Sequence, residues 1–189
     1  MGDLEQLIEA VKGGAVNRVA ELVAQDPALA ATPDADGMTP VRHALYLNQR
    51  AALDAMLASD PPLDVLDLAA TGRAPQLQQR LATDPAGANE RAQDGFTALH
   101  YACFFGGTEA VRALLEAGAD PNPPQDNPMG VAPLHSAAAV RNRDAVRLLL
   151  EAGADPNARQ HGGYTALDAA DQHEDAEMAA MLREHGATR

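Results

Sequence analysis

The sequence predicts an all-α repeat solenoid, about six helix-turn-helix units with short β-hairpin fingers between them, and three observations carry that expectation. Thr97-Ala98-Leu99-His100 returns as Ala132-Pro133-Leu134-His135 and again as Thr165-Ala166-Leu167-Asp168, starting 35 and then 33 residues later. A fixed period of this size marks stacked units that borrow their core from their neighbours. Apolar residues recur at fixed places inside each period, and glycines recur on either side of the helical stretches.

Taking the Thr97 position as slot 0, the register extends through the chain, with slot 0 at Gln6, Thr39, Asp64, Thr97, Ala132 and Thr165. One domain over residues 1–189 is expected, with units at 4–33, 34–60, 61–91, 92–124, 125–159 and 160–189. Slot 2 is apolar throughout (Ile8, Val41, Leu66, Leu99, Leu134, Leu167), and slot 5 is small or β-branched. Three residues apart, these slots share one face of a first helix. Slots 13 and 17, such as Ala110 and Leu114, share one face of a second. Each unit therefore reads as a helical hairpin with a buried seam.

The first unit, with Glu5, Glu9 and Lys12 on its leading helix, reads as a polar N-terminal cap. In the second, Thr39 is an N-cap and Pro40 the first helical residue; Pro133 repeats that role in the fifth. The third follows after only Ser59-Asp60-Pro61-Pro62-Leu63, too short for a projecting finger. Between the fourth and fifth the finger is longer, through Pro123-Pro124-Gln125-Asp126-Asn127-Pro128. The sixth carries Asp168, Asp171, Glu174, Asp175, Glu177 and Arg183, a polar C-terminal cap. Gly37, Gly95, Gly130 and Gly163 precede slot 0 by two residues, where a tight turn needs positive φ. Gly118, Gly153 and Gly186 stand where a second helix would end on a left-handed cap.

Asp94-Gly95-Phe96-Thr97-Ala98-Leu99-His100-Tyr101-Ala102-Cys103, with Leu114-Leu115-Glu116-Ala117-Gly118-Ala119-Asp120-Pro121-Asn122, resembles a near-consensus ankyrin repeat. The fifth unit, through Asn157, and the sixth resemble it as closely. The first three diverge: Gln6 and Asp64 replace Thr, and Glu9, Arg42 and Asp67 stand where His100 and His135 do. The resemblance implies that His100 and His135 tie neighbouring repeats by hydrogen bonds. It also implies binding of a protein or peptide through a concave groove and the finger tips, without catalysis. In this register that face is slots −4 to −1 with slots 4, 7 and 8.

All six aromatic residues of the chain fall on that face. Phe96 and Tyr164 are at slot −1, Tyr101 at slot 4, Tyr46 and Phe104 at slot 7, and Phe105 at slot 8. Val140 shares slot 8, and His43 shares slot 4. Aromatic anchors carry much of the energy of interfaces, and exposed ones signal recognition. With helix layers roughly 8–10 Å apart, Tyr46 and Phe104 would stand on the order of 20 Å apart across a shallow groove. Asp34, Asp36 and Asp94 would give that groove an acidic rim.

Composition narrows the functional classes. Aromatics make up 3% of 189 residues, which suits thin helical layers packed through alanine. Fourteen basic against 27 acidic residues leave a formal charge of −13, which argues against nucleic acid. The charge fits a basic partner, and an inhibitor or immunity-type regulator of a cognate enzyme is the alternative reading. Cys103 is the single cysteine and is expected to be a small buried thiol. No phosphate loop, nucleophile elbow or zinc-binding His spacing occurs, so no catalytic residue, cofactor or metal is expected. Met1-Gly2-Asp3-Leu4-Glu5 resembles no secretory leader, and no apolar run is long enough for a membrane span. A monomeric, cytoplasmic protein is the expectation, and the alanine- and arginine-rich usage suggests a bacterial source.

Overall fold

The computed structural model describes residues 2–125 and 127–188, and it divides into two compact units, Met1–Asp67 and Leu68–Arg189. In the first, α1 (Asp3–Lys12) and α2 (Val16–Gln25) form a hairpin, followed by a 3-10 turn (Pro27–Ala31). Next come α3 (Pro40–Tyr46) and α4 (Arg50–Ala58). The leading helix opens where the Glu5 carboxylate accepts the Gly2 N–H at 3.1 Å, and it closes with Lys12 in its last turn. Thr39 caps α3 by accepting the Arg42 N–H at 3.2 Å, with Pro40 pre-set at the first helical position. Leu7, Val11, Val19, Leu22, Val23, Val41 and Met56 fill the seam, with α1 packed on α2 and α3, and α2 on α4.

The division between units falls within α5 (Val65–Ala70). The second unit continues through α6 (Ala74–Thr83), a 3-10 turn (Pro85–Asn89) and α7 (Ala98–Tyr101). The last of these runs into a π turn (Ala102–Gly106), then α8 (Thr108–Glu116), α9 (Pro133–Ala139), α10 (Arg143–Glu151), α11 (Ala166–Gln172) and α12 (Ala176–Glu184). Two rows result. The helices α6, α8, α10 and α12 pack in sequence, and the π turn, α9 and α11 pack beside them. Leu77, Leu99, Leu114, Leu134, Leu149, Leu167 and Leu182 are fully buried, each worth up to about 1.5–3 kcal/mol of hydrophobic transfer.

Polar ties run along this second unit. His100 Nδ1 accepts the Thr97 N–H at 3.1 Å while its Nε2 meets the Val131 carbonyl at 2.8 Å. His135 repeats the arrangement with the Ala132 N–H and the Ala158 carbonyl, at 3.1 and 2.9 Å. Burial lowers the His135 imidazole below its usual range, although the neighbouring backbone bonds pull the other way. Asn89, Asn122 and Asn157 each donate to the carbonyl of a left-handed glycine (Gly118, Gly153, Gly186) and accept an N–H two residues further on.

Among the described residues there is no sheet. The loops ahead of the first helices hold tight turns, with one isolated bridge between Arg91 and Thr97. Ala92 N–H donates to the Phe96 carbonyl and Gln160 N–H to the Tyr164 carbonyl, at 2.9 and 3.0 Å. Gly95, Gly130 and Gly163 take positive φ in the loops of this unit, as Gly37 does in the first. Asp175, expected on a polar outer face, is instead buried. It caps α12 by accepting the Met178 N–H and binds the Arg143 guanidinium of α10 at 2.9 Å, a charge that could leave water only because it is paired.

Candidate functional site

First helices of a pair mostly end on a left-handed residue with a six-to-one hydrogen bond, as at Asn48 and Arg141, where Gln49 N–H meets the Ala44 carbonyl and Asn142 N–H the Ala137 carbonyl. The segment after α7 differs. There the helix widens into the π turn, and the residue after it is Gly107, with a φ of 82° and an extended ψ of 177°. Gly106 lies so close to the backbone that a Cβ on it would stand 1.8 Å from the Ala69 carbonyl oxygen. A Cβ on Gly72 would likewise stand 2.4 Å from the Gly106 oxygen. Single π turns inside helices recur at functional sites. This one presents Phe104, 47% exposed, with the Phe105 ring edge-on at a centroid distance of 4.7 Å and half-buried.

Val140, 40% exposed, ends α9, the helix that packs against this π turn. Phe96 and Tyr164 are half-buried in the loops ahead of α7 and α11. The Phe96 ring meets His100 edge-on at 5.4 Å, and its N–H donates to the Asp94 carboxylate at 3.1 Å. Tyr164 is engaged by the Gln172 side chain. Tyr101 corrects the expectation of an accessible ring: it is 2% exposed. Its hydroxyl donates to Asp94 at 3.4 Å, and its ring meets Phe96 at 6.4 Å. Slot 4 on α7 faces the packed layer, so this ring is part of the core.

In the first unit Asp36 is exposed, and Tyr46 is 48% exposed at the end of α3. His43, half-buried one turn earlier, meets the Asp34 carboxylate at 2.7 Å. The other Asp34 oxygen accepts the N–H groups of Asp36 and Met38, at 3.0 and 2.9 Å. Despite the upward push of burial, the bonds from His43, Met38 and Asp36 hold the Asp34 carboxyl below its usual range.

Three features escape the sequence reading. Leu47 and Met129 are exposed, at 46% and 57%. Both sit outside the seam slots, Leu47 beside left-handed Asn48 and Met129 in the turn before Gly130, so the register could have flagged them. Thirdly, Arg42 and Asp67 are both buried, with the guanidinium Nε donating to Asp67 at 2.9 Å and the Thr39 hydroxyl donating to it at 2.7 Å. Opposite charges at the same slot of consecutive units were the available signal. Burial pushes the Asp67 carboxyl up to about 7, and the Asp64 charge adds to this against the pull of Arg42 and Thr39.

Cys103 is buried, which pushes its thiol well above the usual range and leaves no reactive thiolate. Among the described residues, no three His, Cys, Asp or Glu side chains converge to hold a metal. An open cleft of about 440 Å³ is lined by Asn122, Pro123, Gln125, Asp155 and Asn157, but both asparagines are already spent on the polar ties. Among the described residues no helix is long and apolar enough to cross a membrane.

Residues 66–160 match a family model for ankyrin repeats in three copies. A human protein named DNA-binding protein RFXANK is 36% identical over 98 residues, covering 48% of this chain and 38% of that protein. Mouse 26S proteasome non-ATPase regulatory subunit 10 is 39% identical over 62 residues, covering 33% of this chain and 27% of its own length. Its human counterpart is 39% identical over 64 residues, covering 34% and 28%. The chain thus spans well under half the length of the curated relatives it matches.

Proposed function

The chain belongs to the ankyrin-repeat family, and on that footing we propose that it is a non-enzymatic module binding a protein or peptide through its first-helix faces and the loop tips before them. Six repeats with short fingers, the outer two acting as caps, are part of this reading. The observation that carries it is the exposure of Phe104 on the π turn and Val140 on the adjoining α9. In a unit that buries leucines in the seam, those two side chains keep a large exposed share and remain available as anchors. One relative's name points to DNA, but a formal charge of −13 disfavours contact with phosphates.

The test is to capture the partner from the native host with the intact protein and with a Phe104→Ala/Val140→Ala variant. The variant is expected to lose the partner and keep its melting curve. A variant that captures as well as the parent overturns the assignment of these anchors, and a collapsed melting curve assigns them to the core. The acidic excess supports a narrower second reading, an inhibitor or immunity-type regulator of a cognate enzyme. In that case the complex weakens steeply as salt rises; salt-insensitive binding counts against it.

A further inference from the structure

We infer that the α3 face of the first unit is a docking surface for a basic peptide segment, with Tyr46 and Leu47 as its apolar floor and the Asp34–Asp36 turn as its acidic wall; this rests on the protein-binding reading above. The inference starts from exposure. Tyr46 and Leu47 are 48% and 46% exposed, while the other large apolar side chains among the described residues of this unit are buried or half-buried. Their helix also carries His43, one turn before Tyr46 and on the same face. The contact between His43 and Asp34 at 2.7 Å draws the loop ahead of α3 against that face.

That loop is built in advance of any ligand. One Asp34 oxygen gathers the N–H groups of Asp36 and Met38, the other is held by His43, and the Asp36 carboxylate is left exposed. An aromatic ring one turn from a histidine that holds an acidic loop suits a cation whose stem is aliphatic. The guanidinium of an arginine can lie over the Tyr46 ring, its methylenes against Leu47 and its charge toward Asp36.

Charge complementarity selects this occupant over an acidic or neutral one. Residues 1–67 hold eleven acidic and four basic side chains, a formal charge of −7. Three of those cations already lie against carboxylates: Lys12 on Glu9, Arg18 on Glu21, and Arg42 on Asp64 and Asp67. They leave the negative charge of this unit largely uncompensated, so a basic segment is steered toward it and an acidic one is repelled.

The experiment titrates the full chain with a short synthetic peptide of arginine, leucine and serine, and with its counterpart in which glutamate replaces arginine. Amide shifts report where each binds and calorimetry reports how tightly. The arginine peptide is expected to shift His43, Tyr46 and Leu47, and the glutamate peptide to leave them unmoved. Tyr46→Ala and Asp36→Asn should each weaken binding by about fivefold or more, because both remove exposed contacts. Asp54→Asn removes the same charge from an exposed site on α4 and should leave binding within about twofold.

Equal binding of the glutamate peptide, equal weakening by Asp54→Asn and Asp36→Asn, or shifts confined to the Phe104 region would each overturn the inference. The broader reading is judged separately by partner capture with the Phe104 variant. If that variant loses its partner while the arginine peptide ignores α3, only the present inference falls.

Discussion

Gly106 and Gly107 are adjacent glycines needed for different reasons, and the difference can be measured. Gly107 has a φ of 82° with an extended ψ of 177°, a region nearly closed to side chains although a Cβ there would meet open space, so Gly107→Ala should cost about 1–3 kcal/mol of backbone strain. Gly106 does not need positive φ; it needs the absence of a side chain, because a Cβ would collide with the Ala69 carbonyl. Gly106→Ala should therefore cost more, about 3 kcal/mol or above, and lower Tm by correspondingly more in a paired thermal melt. A larger loss at Gly107 would mean that the close approach at Gly106 is wrong. His135 supplies a second prediction at this scale. Its imidazole titrates below the ordinary value of 6.5 when folded, so the unfolded chain takes up the proton first. Its contribution to stability is then present above about pH 6.5 and is lost as pH falls toward the folded value. Melting curves from about pH 7 to about pH 5 should show this decline, and His135→Gln should flatten it. An unchanged slope in the variant would refute the assignment.

Among the elements, α3 depends on a buried ion pair in place of the histidine ties seen at α7 and α9. Arg42 and Asp67 are both nearly inaccessible, and the Thr39 hydroxyl joins them. Removing Arg42 strands the Asp67 carboxyl in the interior, where it must take up a proton or stay charged without a partner, so Arg42→Ala should cost about 3–5 kcal/mol in denaturant unfolding. Replacing both, as Arg42→Met/Asp67→Leu, should recover most of that loss. A double variant as unstable as the single one would show that the pair itself contributes net stability. The caps of these elements were legible in the chain: Thr39 and Thr165 accept the N–H groups that N-cap chemistry assigns them, and Pro40 and Pro133 open their helices. The π turn was not legible. It arises where the backbone of 102–106 meets that of Ala69 and Gly72, residues some thirty positions earlier in the sequence.

For the molecule as a whole, Cys103 offers a reporter. It is buried at the start of the π turn with its thiol held protonated by burial. A thiol reagent should react with it only as fast as the surrounding structure opens, and far faster in denaturant. Prompt stoichiometric labelling of the native protein would contradict that burial. The repeat period, the helix caps and the turn glycines could be read in advance, while the His100 and His135 ties followed from the family resemblance. The former depend on residues close in sequence or on a spacing that recurs, and such relations survive without a partner from afar. Exposure is different. Tyr101, Phe104 and Phe105 are near neighbours on one short stretch, yet one ring is sealed, one half-covered and one open. Which of them meets water depends on how adjoining layers pack and on a helix widened by contact with distant backbone, and neither can be computed from local pattern.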